Sequence, residues 1–527
     1  MVFFEIDLSD SYWETIEIDQ KDIEFLYSFL LEKETPLPSS VLAEALIRER
    51  IQTEKQNLQK KQQTNGDIYL PGNEYKVGDK IQFPAMNWIS GDVTDIRDGN
   101  NPQLAELKVI SVTLENGQSK QFASGIDDHK LNQIASRTED SSVEDEQEAI
   151  SRFGELITEK LDDKLEENKD LVRIGAEWFP KSLLIEFNIG HLNLAEALLD
   201  MHEGGPLPVE SLLEQIEIGT DDPPELVQFS LNYALQEDPR FDEVGPRGIV
   251  KWFLNRLEPV PVREKPLQLI YHPDEYDRSA LTEDMLFAEQ RIDDELVEPD
   301  PSFTKRDAGK EVTVALNYPH WRVGSIPLTQ FTRPFFPTAI ETPRVKFTLI
   351  DEEGEEISAW VVRPFNYVYG LREWYEEKEL MPGSLIRIKP GKQLGEVLIE
   401  AERKRTNREW IRTLLIGTDG GIVFALLKQT IAADFNERMA IMVPSTEVLD
   451  ELWQKRAKHP RPIEKVMLDT MKELAKLNPQ GHVHAIELYA AVNCIHRCPP
   501  GAIFSTLETN PAFHSVGDLY YRLGEDA

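Results

Sequence analysis

A short pattern that occurs twice constrains the fold of this chain more than any other feature. Residues 240–254 are RFDEVGPRGIVKWFL, and residues 512–523 are AFHSVGDLYYRL. Each copy has an aromatic residue, two polar residues, Val-Gly, a turn and then a second apolar run. Apolar runs on both sides of a glycine turn predict two paired strands. The chain should therefore contain the same small hairpin twice.

The residues that precede the two hairpins are also similar to each other. GPLPVESLLEQI at 205–216 aligns with GHVHAIELYAAV at 481–492, and TPLPSSVLAEAL at 35–46 shares its Pro-Leu-Pro with the first fragment. Proline-initiated helices are predicted next, at 223–239 and 499–511. Three short helices followed by a hairpin are the element order of a winged helix-turn-helix.

This pattern is similar to the HARE helix-turn-helix family, whose hairpins also combine aromatic-x-x-Val-Gly with an aromatic strand. The family includes the winged helix of the delta subunit of bacterial RNA polymerase and modules attached to restriction enzymes. The resemblance implies winged helices at 176–262 and 446–527, and a related helix-turn-helix at 1–65.

Two further regions are rich in strand signals. Residues 66–135 contain short alternating strands between Gly, Asn and Pro turns, beginning at VGDKIQF, which predicts a small SH3-like β-barrel. Residues 303–445 form the second β-rich region. The expected fold class is multidomain α+β.

The second β-rich region resembles the B3 DNA-binding pseudobarrel. The order that carries this resemblance is a turn at Asp351–Gly354, then Trp360, then Gly370-Leu371-x-x-Trp374-Tyr375, then Leu380-x-Pro-Gly383-Ser384. Ser384 departs from the family, which usually has aspartate at this position. The family binds the DNA major groove through basic and polar residues on two loop-borne arms. The resemblance therefore implies DNA contacts from basic residues in the candidate loops, namely Arg322, Arg333, Arg363 and Lys389.

The net charge of −37 opposes DNA binding unless basic residues are gathered locally. The acidic stretches 136–175 and 263–302 are predicted to be solvated helices or mobile linkers rather than parts of a core. Local positive clusters do occur. The candidate DNA-binding residues are Arg48, Arg50, Lys55, Lys60 and Lys61 on one predicted helix, Arg403, Lys404 and Arg405 with Arg408 and Arg412 nearby, and Arg247 at the tip of the first hairpin.

Each of these clusters also has a structural explanation as a solvated helix face or strand surface. The second hairpin has Asp518 at its turn, where the first hairpin has Arg247, and a carboxylate there would repel phosphate. We therefore expect the first winged helix to contact DNA and the last to bind protein.

Metal and catalytic sites have weaker sequence support. His482, His484, Cys494, His496 and Cys498 contain zinc-ligating side chains, but their spacing matches no standard zinc module, and a structural role is favoured. Glu400, Glu402 and Lys404 alternate as in metal-dependent nucleases, although exposed strands often alternate in this way. The sequence contains no P-loop, GxGxxG, HExxH or GxSxG motif.

The cysteine content and hydropathy predict a reducing, cytoplasmic location. The chain has two cysteines, no apolar run long enough to span a membrane, and acids rather than lysine or arginine near residue 1.

The expected function is that of a non-enzymatic protein that binds double-stranded DNA, without a cofactor, in transcription, chromosome organisation or defence against foreign DNA. One alternative is an acidic factor that binds RNA polymerase or another protein through its winged helices. A second alternative is a metal-dependent nuclease.

Overall fold

The computed structural model describes residues 10–524 apart from several short gaps. The residues outside the description are 1–9, 65–66, 84–85, 87–88, 101–106, 128, 130–131, 133–138, 217, 220–221, 274, 304–308, 392–395, 418–419 and 525–527. The chain divides into two compact units, of which the first comprises 1–185 and 222–229 and the second comprises 186–221 and 230–527.

The described residues of the first unit form four helices and eight strands. Its elements are α1 (Asp10–Thr15), α2 (Gln20–Lys33), β1 (Leu37–Pro38), α3 (Ser39–Thr64), β2 (Asp67–Ile68), β3 (Lys80–Phe83), β4 (Ile89–Asp98), β5 (Lys108–Leu114), β6 (Ser119–Ser124), α4 (Glu139–Glu166), β7 (Leu171–Ile174) and β8 (Glu177–Pro180).

The acidic helix α4 is part of a core, which corrects the expectation of a solvated linker at 136–175. Its residues Phe153, Ile157, Leu161 and Leu165 are buried with apolar residues of α1, α2 and α3. These four residues recur every fourth position, so they form one apolar stripe on a helix whose other faces are acidic. The high acidic content therefore predicts a solvated segment, although the spacing of the apolar residues is that of an amphipathic helix.

The predicted small barrel is a five-stranded sheet in the order β2-β3-β4-β5-β6. Buried apolar side chains on one face, including Ile81, Val93, Ile110 and Val112, form its core together with Tyr75. The alternation of buried and exposed positions along β5 agrees with the period of two that a half-buried strand requires.

The second unit contains eleven helices and fifteen strands among its described residues. They are α5 (Ile189–Met201), α6 (Val209–Leu213), α7 (Pro224–Gln236, whose first residues belong to the first unit), β9 (Phe241–Glu243), β10 (Trp252–Leu254), α8 (Val260–Arg263), α9 (Glu283–Ile292), β11 (Val312–Ala315), α10 (Tyr318–Val323), β12 (Ser325–Pro327), β13 (Arg344–Ile350), β14 (Glu356–Val362), β15 (Tyr367–Tyr369), α11 (Arg372–Glu377), β16 (Leu385–Pro390), β17 (Glu396–Ala401), β18 (Arg403–Ile416), β19 (Ile422–Ala433), β20 (Ile441–Met442), α12 (Thr446–Lys458), α13 (Ile463–Ala475), β21 (Val483–His484), α14 (Ala485–Asn493), α15 (Pro500–Thr509), β22 (Phe513–Gly517) and β23 (Tyr520–Leu523).

Both predicted hairpins are present. β9 pairs antiparallel with β10, and β22 pairs antiparallel with β23, which also pairs with β21. Three helices precede each hairpin, namely α5–α7 before the first and α13–α15 before the second. Trp252 of the first hairpin is buried and donates its indole N–H to Asn232 of α7 at 2.7 Å, so a polar group inside that core is satisfied.

The largest sheet has seven strands in the order β11-β16-β17-β13-β14-β15-β12 and is nearly closed, like a barrel. The predicted turn at Asp351–Gly354 joins β13 to β14, and the short helix predicted after Gly370 is α11. Trp374 and Tyr375 of that helix are buried in the sheet core.

The first hairpin packs against this sheet. The carbonyl of Val244 accepts a hydrogen bond from the N–H of Lys346 on β13 at 2.9 Å, and Phe253 lies edge-on to Trp360 at a centroid distance of 5.2 Å. The guanidinium group of Arg344 on β13 contacts the carboxyl groups of Asp242 and Glu258, the latter at 2.9 Å. The hairpin β9–β10 thus has a structural role, because it packs α5–α7 against the seven-stranded sheet.

The segment predicted as a second acidic linker, 263–302, is also part of a core. Met285, Ala288 and Ile292 of α9 are buried together with residues of α12–α15. Asp294 and Glu295, which follow α9, are buried as ion-pair partners of Arg497. Their pairing with a buried arginine explains why acidic residues lie in an interior here.

The whole described chain is a mixed α+β arrangement with several sheets. In the part of the chain that the structure describes, no helix combines the length and apolarity that a membrane crossing requires.

Candidate nucleic-acid interface

A long two-stranded ribbon, formed by β18 and β19, contains exposed basic and aromatic side chains. Its strands pair continuously from Asn407–Ile431 to Ile416–Ile422, with an irregularity between Arg403 and Asn407. The third strand, β20, pairs only with Arg412 and Thr413 of β18. The half of the ribbon near Arg408 therefore extends beyond the three-stranded part of the sheet.

One face of this half combines cations with a tryptophan. Arg408 lies opposite Thr430, and Trp410 lies opposite Lys428. Since side chains two positions apart share a face of a strand, and opposite residues share it across the pair, these four side chains lie together. We call Arg408, Trp410, Lys428 and Thr430 the ribbon face.

The ribbon face is open to solvent. Trp410 is 63% exposed, and Arg408, Lys428 and Thr430 are exposed as well. Lys428 Nζ lies 5.5 Å from the centre of the Trp410 ring, a cation–π contact. Most large apolar side chains in proteins are buried, so an exposed tryptophan flanked by cations marks a candidate binding surface.

Arg405 is exposed and lies three residues before Arg408, in the irregular part of β18. No carboxylate of the described residues forms an ion pair with Arg405, Arg408 or Lys428. Residues 403–433 contain six basic and two acidic residues, in a chain with a net charge of −37. The ribbon is thus a local positive region on an acidic protein.

Neighbouring basic residues of the same cluster have internal partners. Arg403 forms ion pairs with Glu352 and Glu353, at 3.2 and 3.4 Å. Lys404 pairs with Glu409 at 2.8 Å and lies over the ring of Phe435 at 3.8 Å. Arg412 pairs with Glu487 at 3.1 Å. These three residues hold the ribbon in place, and Arg405 and Arg408 are the members of the predicted cluster that have no carboxylate partner among the described residues.

Two predicted cations of the basic helix α3, Arg48 and Arg50, are described, and each has a carboxylate partner. Arg50 donates to both carboxylate oxygens of Asp22, at 2.8 and 2.5 Å, and also to Tyr12, so it connects α3 to the rest of the first unit. Arg48 is exposed and pairs with Glu44 one helical turn away at 3.2 Å. The side chains of Lys55, Lys60 and Lys61 lie outside the described residues.

The basic residues expected on loop-borne arms of the large sheet are mostly on regular elements or paired. Arg322 lies in α10 and pairs with Asp450, and Lys389 lies on β16 and pairs with Glu311 and Glu400, each at 3.4 Å. Arg363 begins a short 3-10 helix and donates to the carbonyl of Thr342 at 2.7 Å. The loop expectation is therefore wrong for Arg322 and Lys389, because strand and helix periodicity there was missed.

Arg247 and Arg333 are brought together by the fold although 86 positions separate them in the sequence. Both side chains are exposed, and both line one cavity. The backbone N–H of Arg247 donates to the carbonyl of Thr338 at 2.6 Å, which fixes the hairpin turn against that wall.

The histidine and cysteine cluster is not assembled as a metal site. The described residues include no group of three or more His, Cys, Asp or Glu side chains placed to hold a metal ion. Cys494 and Cys498 are buried, and Cys494 donates to the carbonyl of Ala490 at 3.4 Å. His484 caps α14 by accepting from the N–H of Ile486, and burial lowers its pKa to about 4.

The carboxylates considered for a nuclease are neutralised by basic neighbours on the adjacent strand. Arg387 of β16 contacts Glu402 at 2.9 Å and Glu400 at 3.6 Å, and Lys389 contacts Glu400 at 3.4 Å. Cross-strand ion pairs of this kind stabilise a sheet. They therefore account for the alternation of charges that the sequence displays.

One serine, histidine and glutamate are linked by hydrogen bonds, but in the interior. Ser325 Oγ lies 2.8 Å from His320 Nδ1, and Glu295 lies 2.8 Å from His320 Nε2. The side chains of His320 and Glu295 are 0% and 2% exposed, and Ser325 is fully buried. Since a nucleophile must reach its substrate, this arrangement serves the core of the second unit rather than catalysis.

The sequence predicts Arg405 and Arg408 as site residues, whereas Trp410 and Lys428 are not among its predicted residues. The available signal was the period of two along a strand, which places Arg408 and Trp410 on one face. Lys428 was detectable as the single charge within the apolar strand IVFALLKQTIAA. Comparison with protein-family models, with curated proteins and with solved structures finds no significant match to the chain.

Proposed function

We propose that this chain is a non-enzymatic DNA-binding protein that contacts DNA through the ribbon face and Arg405. The observation that carries the proposal is the exposure of Trp410 beside cations that have no ion-pair partner among the described residues. Cations of this kind attract phosphates, and binding to phosphates releases counterions from the DNA.

The dimensions of a ribbon suit the proposal. The major groove of B-form DNA is about 12 Å wide and admits a two-stranded β-ribbon. An exposed tryptophan also offers a flat surface on which an unpaired base can stack, with about 1–3 kcal/mol per base. Duplex and single-stranded DNA are therefore both suitable probes, and they separate groove binding from stacking.

The element order of the chain supports modules of DNA-associated type. We propose that α5–α7 with β9–β10, and α13–α15 with β22–β23, are winged helices of the HARE type. The nearly closed seven-stranded sheet supports a B3-like pseudobarrel, and the five-stranded sheet supports an SH3-like barrel. We place the DNA contact on the ribbon, because the first hairpin is packed against β13 and the second has Asp518 exposed at its turn.

The experiment is a fluorescence-anisotropy titration of labelled random-sequence duplex and single strand with the full-length protein, across about 50 to 300 mM salt. The variant Arg405→Glu/Arg408→Glu should bind at least tenfold more weakly at low salt and should have a shallower dependence on salt. Each cation that contacts a phosphate contributes close to one unit of slope.

A matched control changes the same charge elsewhere in the second unit. Lys465→Glu/Lys472→Glu alters two exposed lysines of α13 and should leave the salt slope unchanged. Equal weakening by both double variants would mean that net charge alone controls binding, and absence of binding by the unaltered protein at low salt would reject the proposal.

A second candidate function is that of an acidic factor that binds RNA polymerase or another protein. The observation that favours it is the edge strand β19, on which Val423, Leu426 and Leu427 are 44%, 42% and 38% exposed. Unpaired edge strands add strands from partner proteins. Loss of binding to purified RNA polymerase in Leu427→Lys, with DNA binding intact, would support this candidate over the first.

A further inference from the structure

The cavity that joins Arg247 to Arg333 has the size and composition of a ligand site. Its volume is about 830 Å³, which lies within the range of about 300–1,000 Å³ that small-molecule sites occupy. Four segments of the second unit form it, and these are the turn of the first hairpin, the residues after α9, the loop after β12, and the facing ends of β16 and β17.

Much of the cavity lining is apolar. Five prolines and three phenylalanines line the cavity, among them Pro334, Phe335 and Phe336 in consecutive positions. Phe303 is held edge-on against Phe331, with ring centres 4.9 Å apart. Aromatic rings present planar faces, and both aromatic and proline side chains have little entropy to lose, so together they favour a planar ligand.

The charged groups at the cavity are two arginines and two carboxylates. Arg333 donates one N–H to Asn366 at 3.0 Å, and Arg247 is exposed at the turn of the hairpin. Asp300 accepts hydrogen bonds from the N–H and hydroxyl of Ser302, at 2.8 and 2.7 Å, and Glu396 lines the cavity at the start of β17.

We propose that this cavity binds a single nucleotide that carries an amino-substituted base, with cytidine 5′-monophosphate of the deoxy series as the reference ligand. The two arginines would bind the phosphate, since guanidinium groups match phosphate geometry. The phenylalanine and proline faces would enclose the base. A carboxylate would accept a hydrogen bond from the exocyclic amine, as Asp and Glu do with cytosine N4.

This inference goes beyond the proposed DNA contact and does not depend on it. The cavity includes the first residue of β17, whereas the ribbon begins two residues after the last residue of β17. A six-residue strand spans about 20 Å. The two surfaces can therefore be altered separately.

The test is isothermal titration calorimetry of the full-length protein with dCMP, dTMP, deoxyribose 5-phosphate and inorganic phosphate. We expect dCMP to bind, dTMP to bind at least fivefold more weakly because it lacks the amine, and the two base-free ligands to bind at least tenfold more weakly. Arg333→Gln and Arg247→Gln should each weaken dCMP binding at least tenfold.

Two further variants separate the cavity from general charge effects. Ile249→Trp places a large ring at a lining position that is 45% exposed, so it should block the cavity without a change of charge. Arg48→Gln removes an exposed arginine of the first unit and should leave dCMP binding unchanged. If Ile249→Trp loses dCMP binding but retains DNA binding, the cavity and the ribbon face bind their ligands independently.

The proposal is overturned if no binding of dCMP is detected at ligand concentrations up to about 1 mM, which would correspond to a dissociation constant weaker than about 1 mM. It is also overturned if deoxyribose 5-phosphate binds as tightly as dCMP, because the walls would then contribute nothing. Unchanged dCMP binding in Arg333→Gln and Ile249→Trp would place the nucleotide elsewhere.

Discussion

Arg497 and Asp294 form a fully buried, bidentate ion pair across 203 positions of sequence. Arg497 Nη2 lies 2.5 Å from Oδ1 of Asp294, and Nη1 lies 2.8 Å from Oδ2. Glu295 is a second carboxylate partner at 2.7 Å. The phenol of Tyr489 also donates to Asp294. This network connects the residues after α9 to the end of α14 inside the second unit.

Removal of Arg497 should destabilise the second unit strongly. Arg497→Met leaves two buried carboxylates without their cation, and breaking a buried pair in this way costs about 3–5 kcal/mol. Differential scanning calorimetry of the full chain should show a large fall in the midpoint temperature of one unfolding transition. Arg48→Met, which breaks an exposed pair on one helix, should change the stability by less than about 0.5 kcal/mol. Similar small effects of both changes would contradict the buried-pair argument.

The contact between the first hairpin and the large sheet should weaken as pH rises. Burial, with the charge of Asp242 nearby, raises the pKa of Glu258 to about 8 from an ordinary value of 4.5. Burial, together with Glu341 and Asp242, raises the pKa of Glu243 to about 7. Both carboxyls hold protons more tightly in the folded state, so the folded state binds more protons than the unfolded state between about pH 4.5 and 8.

The free energy of unfolding should therefore fall as pH rises through this window. Glu258→Gln keeps the shape and an acceptor for Arg344 but cannot ionise, so its melting temperature should depend less on pH than that of the unaltered protein. Glu210→Gln, on an exposed face of α6, is the matched control. A pH profile that Glu258→Gln leaves unchanged would remove Glu258 from this account.

Arg48 and Arg50 lie two positions apart on α3, yet their removal should have different effects. Arg50→Ala leaves the buried Asp22 with its hydrogen bond from the Asp19 N–H but without its cation, and should lower the stability of the first unit by about 1–3 kcal/mol. Arg48→Ala should be close to neutral, since its pair with Glu44 is exposed. Thermal unfolding followed by circular dichroism measures both. A neutral Arg50→Ala would mean that its contact with Asp22 contributes nothing.

The two cysteines should be unreactive in the folded protein, and removal of metal ions by a chelator should not change its stability. Because Cys494 and Cys498 are buried in the core and burial raises the pKa of the Cys494 thiol, both thiols should react with a disulfide reagent only after unfolding. Incubation with EDTA should not shift the melting temperature. A fall of several degrees, with zinc released into the dialysate, would restore the zinc hypothesis for the histidine and cysteine cluster.

Local patterns were sufficient to predict the hairpins and several helices. The Val-Gly turns lie between apolar runs that pair with each other over a few residues, so β9–β10 and β22–β23 follow from nearby sequence. The helices expected at 223–239 and 499–511 correspond to α7 and α15, because prolines mark their beginnings. Such signals depend on residues that are close in sequence, so they do not require knowledge of the tertiary structure.

Long-range pairing accounts for the errors. Acidic composition predicted that 136–175 and 263–302 are solvated, but α4 and α9 each bury an apolar stripe, and Asp294 meets a cation from the far end of the chain. Likewise, the partners of Arg322 and Arg50 are 128 and 28 positions away. Composition cannot reveal which charges are paired, because pairing depends on the folded chain.

Stacking on Trp410 and the charge of Arg408 should contribute separately to DNA binding by the ribbon face. Trp410→Ala should weaken the binding of single-stranded DNA by about 1–3 kcal/mol, the value of one stacked base, without a change in the salt slope. Trp410 is 63% exposed, so its removal should leave the melting temperature within about 1 °C of the original. Arg408→Gln should instead reduce the salt slope by about one unit on duplex DNA. The measurement is the same anisotropy titration at several salt concentrations. A different result, in which Trp410→Ala alters the salt slope and Arg408→Gln does not, would mean that Arg408 contacts no phosphate. The edge of β19 would then become the favoured binding surface.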